Sequence, residues 1–283
     1  MQELRWTSVA FIIFGMSLIP LGDSAGKILA IGGMSPLFIA WSRLSVGFVC
    51  LLPFSRLTKT EWRDLFNWRL VFRACLFSGA ISCMLSALKT EPIGDVFGVF
   101  FIGPIVAYFL AALVLKEPIT LARSLLLFAG FGGVLLVVKP GFGMSSGLLL
   151  ALAAGTLYGC MLVTNRWLAG TYRPRVILLS TLLFGSLLLA PKGLSMLPTQ
   201  IDGFTIGLVL VSSLASALGN LIIIDANRRL NANVVAPFVY SQLVAAVVLG
   251  VFLFSELPDT WSMLGLTIIF ASGIWSFLLV KRT

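Results

Sequence analysis

Ten apolar stretches, each close to the ~20 residues that carry a helix across a ~30 Å hydrocarbon layer, alternate along the chain with short polar joints. They fall near residues 7 to 31, 36 to 54, 70 to 89, 93 to 115, 121 to 138, 147 to 168, 175 to 191, 205 to 226, 232 to 254 and 261 to 280. This pattern predicts an all-α integral membrane protein with ten transmembrane helices. The longest polar interval, "SRLTKTEWRDLFNWRL" at 55 to 70, sets Trp62, Phe66 and Trp68 beside basic residues and reads as an interfacial loop or short helix.

Composition agrees. Apolar residues make up 59% of the chain and charged residues 11%, against roughly 25% charged in a soluble domain. Mean hydropathy is +1.04, and no soluble domain of useful size is left between the spans. The first apolar segment runs past the length of a signal-peptide core and shows no clear small-residue cleavage site before Asp23, so it is expected to be a retained span.

A net charge of +9 would point to nucleic acid in a soluble protein, but here its distribution matters more. With the N-terminus on the cytoplasmic side, fourteen Lys and Arg residues fall in inner joints and three, Lys89, Lys139 and Lys192, in outer ones. That asymmetry follows the positive-inside rule and predicts cytoplasmic termini. Lys27, Arg43 and Arg73 remain inside spans. Arg73 sits near the inner end of the third span, where snorkelling to the interface is expected.

Internal comparison at a constant offset of 139 residues lays "LVLKEPITLARSLLLFAGFGG" on "FLFSELPDTWSMLGLTIIFASG" and pairs Glu117 with Glu256, Leu125 with Leu264 and Phe131 with Phe270. The same offset pairs Leu18 with Leu157, Lys27 with Arg166, Ala107 with Ala246 and Leu110 with Leu249. One offset across most of the chain argues for duplication, with units at 1–140 and 141–283. Each unit holds five helices, an odd number, so the second copy enters the membrane from the opposite face. Two inverted five-helix repeats are the arrangement by which many secondary transporters build two mirror-related access states.

These features resemble the drug/metabolite transporter superfamily in its EamA-like branch. The likeness rests on the ten-helix layout, the half-chain repeats, the "KEP" and "SELP" turns before a glycine-bearing helix, and "GDSAGKILA" followed by "PLFIAWSRLSVG". An Asp and Lys late in the first span with an Arg in the second is similar to a subgroup of riboflavin, S-adenosylmethionine and metallophore transporters. The resemblance implies a basket of helices 1, 3, 4, 6, 8 and 9 around a central cavity, location in a bacterial inner membrane, and transport without ATP hydrolysis.

"GDSAGK" at 22 to 27 also looks briefly like a phosphate-binding loop. That motif needs GxxxxGK followed by Ser or Thr; here the spacing is one residue short and Ile28 follows Lys27. Taking 1.5 Å per residue, Asp23 lies ~12 Å below the outer end of the first span, Lys27 ~6 Å, and Arg43 ~10 Å below the same surface on the second. Asp23 and Arg43 are therefore level, and Asp95 enters from above. Unpaired charge at such depth costs a few kcal/mol or more. Two readings stand: a staple of Asp23, Lys27 and Arg43 between two helices, or a coupling site where Asp23 takes a proton or meets substrate while Arg43 tunes it.

Pro20, Pro104 and Pro237 each remove a backbone donor and are expected kinks. Further candidates for substrate binding are Tyr108, Tyr158, Asn220, Tyr240 and Gln242, with Asn165 and the aromatic run Phe97, Phe100 and Phe101 nearby. The small-residue patches "GFGG" at 130 to 133 and "SSLASALGN" at 212 to 220 read as close helix packing. The four cysteines, Cys50, Cys75, Cys83 and Cys160, lie singly and no histidine occurs, so no metal and no cofactor is expected. The expected partners are a small-molecule substrate and membrane lipid, with a homodimer left open and no nucleic acid.

The function that follows is secondary transport of a small organic metabolite by alternating access, best matched by a vitamin-like substrate such as riboflavin. Export of an amino acid or an amino-acid-derived metallophore is the alternative. An intramembrane lipid-modifying enzyme lacks a histidine-based site and clustered intramembrane carboxylates, and would leave the repeat unexplained. A receptor or assembly factor would need an exposed domain.

Overall fold

The computed structural model describes residues 6–91, 93–138, 145–198, 201–229, 238–239, 241–255, 257 and 260–282. Its elements are α1 (Trp6–Ile31), α2 (Pro36–Ser55), α3 (Lys59–Asp64), α4 (Trp68–Thr90), α5 (Ile93–Phe100), α6 (Ile102–Leu115), α7 (Leu121–Val138), α8 (Ser146–Ala169), α9 (Pro174–Ser195), α10 (Gly203–Arg229), α11 (Ser241–Phe254) and α12 (Thr260–Arg282). Seven helical segments among the described residues are long and apolar enough to cross a bilayer, and Leu121–Leu136 and Ser241–Phe254 are shorter apolar helices.

Polarity is distributed as a lipid solvent requires. Large apolar side chains such as Phe14, Leu113 and Phe252 point outward, while Asp23, Arg43, Arg73, Asn165 and Gln242 are buried. An exposed apolar girdle around a polar interior would be an aggregation surface in water and is the expected face toward lipid.

The polar interval forms α3, opened by a reciprocal capping box in which Thr58 accepts from the Glu61 backbone and Glu61 accepts from the Thr58 backbone. Glu61 also pairs with Arg173 at 3.1 Å, tying α3 to the α8–α9 joint. The backbone hydrogen bond from Thr58, with Arg173 beside it, holds the Glu61 carboxyl below its ordinary range.

The predicted fourth span is broken in two at Phe101. Pro104 has no N–H for the carbonyl of Phe100 four residues earlier, so the disruption falls a turn before the proline itself. Pro20, by contrast, stays inside an unbroken α1, and Pro237 lies outside the described residues. The break is seated on α8. A Cβ added to Gly155 would collide with the Phe100 carbonyl, and one on Gly103 would come within 2.7 Å of the Gly155 carbonyl.

The helices pair across the chain's two halves. α1 packs along α10, α2 on α9, α4 on α8, and α7 on α12, with α6 also on α8 and α11 on α1. Small residues make the approaches close: a Cβ on Gly219 would lie 2.8 Å from the Gly15 carbonyl, and one on Gly133 would lie 2.7 Å from that of Gly265. In the "GFGG" patch Gly132 faces open space instead.

Gly155→Ala should therefore lower stability by about 1–3 kcal/mol through overpacking, read as a fall in the thermal-unfolding midpoint of the detergent-solubilised protein. Gly132→Ala should leave that midpoint unchanged or raise it, because alanine is the better helix former and meets nothing.

Candidate functional site

The second span carries Arg43 to the wall of α1, and three groups accept from its guanidinium. Nη1 donates to Asp23 Oδ1 at 2.7 Å, Nη2 to the Gly22 carbonyl at 2.6 Å and Nε to Ser212 Oγ on α10 at 2.9 Å. Ser212 in turn donates to the same Gly22 carbonyl at 2.9 Å. Arg43 and Asp23 are both buried, at 3% and 4% exposure, so the ion pair is held away from lipid, and each of the three guanidinium nitrogens has an acceptor, as a pair in low dielectric requires.

The glycines of "GDSAGK" now have a physical role. A Cβ at Gly22 would come within 2.9 Å of the Ser212 carbonyl, and one at Gly26 within 3.1 Å of Arg43 Nη2. Both positions are bare so that α2 and α10 can approach α1 closely enough for one guanidinium to reach all three acceptors. Lys27 is buried as well, and its Nζ lies over the Phe254 ring, 5.1 Å from the centroid, a cation–π contact.

Asp23 and Arg43 line a small cavity together with Phe77, Phe100, Tyr158 and Asn220. Tyr158 stacks on Phe100 at 4.9 Å between ring centroids, and its hydroxyl accepts from Gln242 Nε2 at 3.2 Å. Asn220 spends its amide N–H on the Ser216 carbonyl at 2.9 Å, leaving its Oδ1 without a partner among the described residues, as is Gln242 Oε1. The wall thus offers a carboxylate, a guanidinium, a phenol and an unused amide carbonyl around aromatic surface, the mixture expected of a site for a small amphipathic molecule. The free space is about 40 Å³, enough for roughly three waters at ~10–15 Å³ each. A metabolite does not fit that space in this conformation.

Of the residues singled out in the sequence, Asp23, Arg43, Tyr158 and Asn220 come together here and Gln242 supports them. Tyr108 does not reach the cavity. Its hydroxyl bonds Ser124 Oγ at 2.8 Å and the Thr120 carbonyl at 3.4 Å, tying α6 to the start of α7. Tyr240 and the side chain of Asp95 lie outside the described residues.

Arg73 corrects the expectation of snorkelling. It is 0% exposed, with Nε donating to Asn165 Oδ1 on α8 and Nη1 to Thr181 Oγ1 on α9. These partners stand 92 and 108 residues away in sequence, so no local pattern announced them. The other group missed was Ser212, legible only as the first serine of a patch read as packing.

Two stretches of the chain, residues 6–139 and 145–278, match the model of the EamA-like transporter family, the second starting 139 residues after the first. A riboflavin transporter of Rhizobium johnstonii is 27% identical over 245 residues, covering 83% of this chain and 79% of its own. An S-adenosylmethionine uptake transporter of Rickettsia felis is 22% identical over 252 residues, covering 86% and 83%. A crystal structure superposes with a TM-score of 0.78 at 17% identity, covering 99% of each chain, which establishes likeness of fold.

Removing the Asp23 charge should be costlier than removing that of Arg43, because a buried carboxyl can take up a proton whereas a guanidinium cannot lose one. Asp23→Asn is expected to destabilise by about 3–5 kcal/mol, as for one partner removed from a buried pair. Arg43→Gln should cost less, and the double variant should recover most of the loss. Thermal-unfolding midpoints of the four proteins in one detergent check this.

Proposed function

The chain belongs to the EamA-like transporter family, and from that premise we propose that it is a secondary transporter moving a small organic metabolite across a bacterial inner membrane by alternating access. The observation that carries the reading is the cavity itself. It lies between helices of both family-matched stretches, is walled by an ion pair and an aromatic cluster, and in this conformation has room for only a few waters.

In this reading ten spans form two inverted five-helix repeats, with both termini cytoplasmic. The offset between the two family matches supports it, and so do the helix pairings. Exchanging each span with its counterpart five spans later turns the α1–α10 pair into the α4–α8 pair, and the α6–α8 pair into the α1–α11 pair. A structure that maps onto itself in this way has two related conformations, open to opposite faces.

The substrate we assign is vitamin-like, of the kind represented by riboflavin. The aromatic wall of Phe77, Phe100 and Tyr158 suits a flat ring system, and the name of the Rhizobium relative agrees. Asp23 serves as the coupling or substrate-binding group and Arg43 as its counter-charge.

Counterflow in proteoliposomes tests this. Preloaded riboflavin should drive uptake of labelled riboflavin without ATP. Exchange of amino acids in its place would reassign the cargo, and no exchange across a broad metabolite panel would defeat the transporter reading. The Asp23→Asn/Arg43→Gln protein, with its stability restored, should be folded and inactive. Wild-type exchange by that protein would make the pair a structural staple.

A further inference from the structure

Arg73 is fully buried yet meets no carboxylate among the described residues. It projects from α4 about 8 Å in from the helix's first residue, at the end of the bundle that carries α3. Its acceptors, Asn165 Oδ1 and Thr181 Oγ1, are neutral. Arg73 Nη2 and Asn165 Nδ2 have no hydrogen-bond partner among the described residues. Both unused donors belong to one contact, the guanidinium and the amide that bind each other.

Comparison with Arg43 makes the deficit specific. Arg43 bonds Ser212 across the two family-matched stretches, and Arg73 bonds Thr181 across the same divide. The 139-residue offset sets Arg73 on Ser212, and sets Arg43 on Leu182, the neighbour of Thr181. Each end of the pathway thus has one arginine bonded to a hydroxyl of the opposite stretch. The first arginine has Asp23 as counter-ion, and the second has none among the described residues.

An uncompensated cation in a low-dielectric interior is costly, and donors pointing at nothing add to the cost. What relieves both is a ligand bringing one negative charge and two acceptor oxygens. We infer that Arg73 and Asn165 form a binding site for an oxyanion, the carboxylate of a solute that the protein carries or exchanges, engaged when the helices at the α3 end separate; this rests on the transport reading above but not on riboflavin as its cargo, since riboflavin bears no carboxylate. One guanidinium balances one charge, which favours a carboxylate over a phosphate monoester carrying about −1.5 to −2. Arg73 Nη2 and Asn165 Nδ2 give the two carboxylate oxygens one charge-assisted and one neutral hydrogen bond.

The surroundings fit. Tyr158, which lines the cavity beside Asp23 and Arg43, is within electrostatic range of Arg73. Near the same end, Arg173, Arg175 and Arg228, with Asp225 as the one acid, line a cavity of about 320 Å³, and such a cationic mouth concentrates anions.

Benzoate, inorganic phosphate and chloride at matched ionic strength serve as probes, with the thermal-unfolding midpoint of the purified full chain in nanodiscs as the readout. Benzoate should raise the midpoint saturably. Arg73→Gln should weaken its binding about tenfold or more, the loss expected for a charge-assisted contact. Asn165→Asp supplies the missing carboxylate internally; it should raise the basal midpoint while weakening benzoate binding to the same degree. That variant keeps the guanidinium in place, so it decides the matter even where Arg73→Gln does not fold. No saturable benzoate effect, an effect unchanged by Asn165→Asp, or an equal effect of chloride would overturn the site, and a stronger effect of phosphate would overturn its assignment to a carboxylate. Counterflow of a neutral metabolite that benzoate does not inhibit would remove the site while leaving transport intact.

Discussion

A guanidinium inside a lipid-facing bundle cannot shed its proton, so the helices around it must supply an acceptor for every edge it presents. Arg43 sets this requirement for one end of the molecule. Meeting it takes a carboxylate and a backbone carbonyl from α1 and a hydroxyl from α10, and it brings those helices close enough that a Cβ at Gly22 would press on the Ser212 carbonyl and one at Gly26 would crowd Leu85 and Arg43. The same demand fixes the rotation of α1 about its axis, because Asp23 must face α2. Asp23 and Asn220 then share the cavity wall with the aromatic cluster. Cavity chemistry and helix packing are here consequences of one charge.

Arg73 imposes the same requirement at the α3 end and meets it incompletely. Its neutral partners satisfy two donors and leave the charge uncancelled. In the transport reading this makes the two ends energetically unlike. Parting α2 from α10 at Arg43 leaves the ion pair with Asp23 intact and sacrifices one hydroxyl contact. Parting α9 from α4 at Arg73 takes away Thr181 and leaves Arg73 and Asn165 together with no counter-charge among the described residues, and it is favourable only when water or an anion replaces the lost contact. The present conformation keeps both ends bonded around a cavity too small for cargo.

The sequence disclosed what depends on local period and depth. Apolar runs of bilayer length became helices, and counting 1.5 Å per residue from two helix ends put Asp23 level with Arg43, which the 2.7 Å ion pair bears out. What it concealed depends on which face of one helix meets which face of another. Arg73 lies within two turns of a helix end beside Trp68, and by depth alone that is a snorkelling position. Asn165 and Thr181 turn it inward, and neither is near it in the chain. Tyr108 misled for the converse reason: a polar ring at depth needs a partner, and the nearest was on the following helix. Pro104 announced a disruption in its span, but the carbonyl it deprives of a donor belongs to Phe100, so the break appears at Phe101.

The repeat bears on why the two arginines differ. In the repeat reading, duplication gives both ends the same helix pairings, so a contact that closes one end has a counterpart position at the other. Identity at those positions is not required. A serine at 212 stands where the first stretch has Arg73, and a leucine at 182 where it has Arg43. Each contact therefore keeps one arginine and one hydroxyl, while the donor belongs to the first stretch in both cases. The arrangement preserves closure at either end and confines the acidic partner to one of them. In the transport reading such a pathway is symmetric in its moving parts and polar in its electrostatics, with an unmatched cation at one end that an anionic group can neutralise.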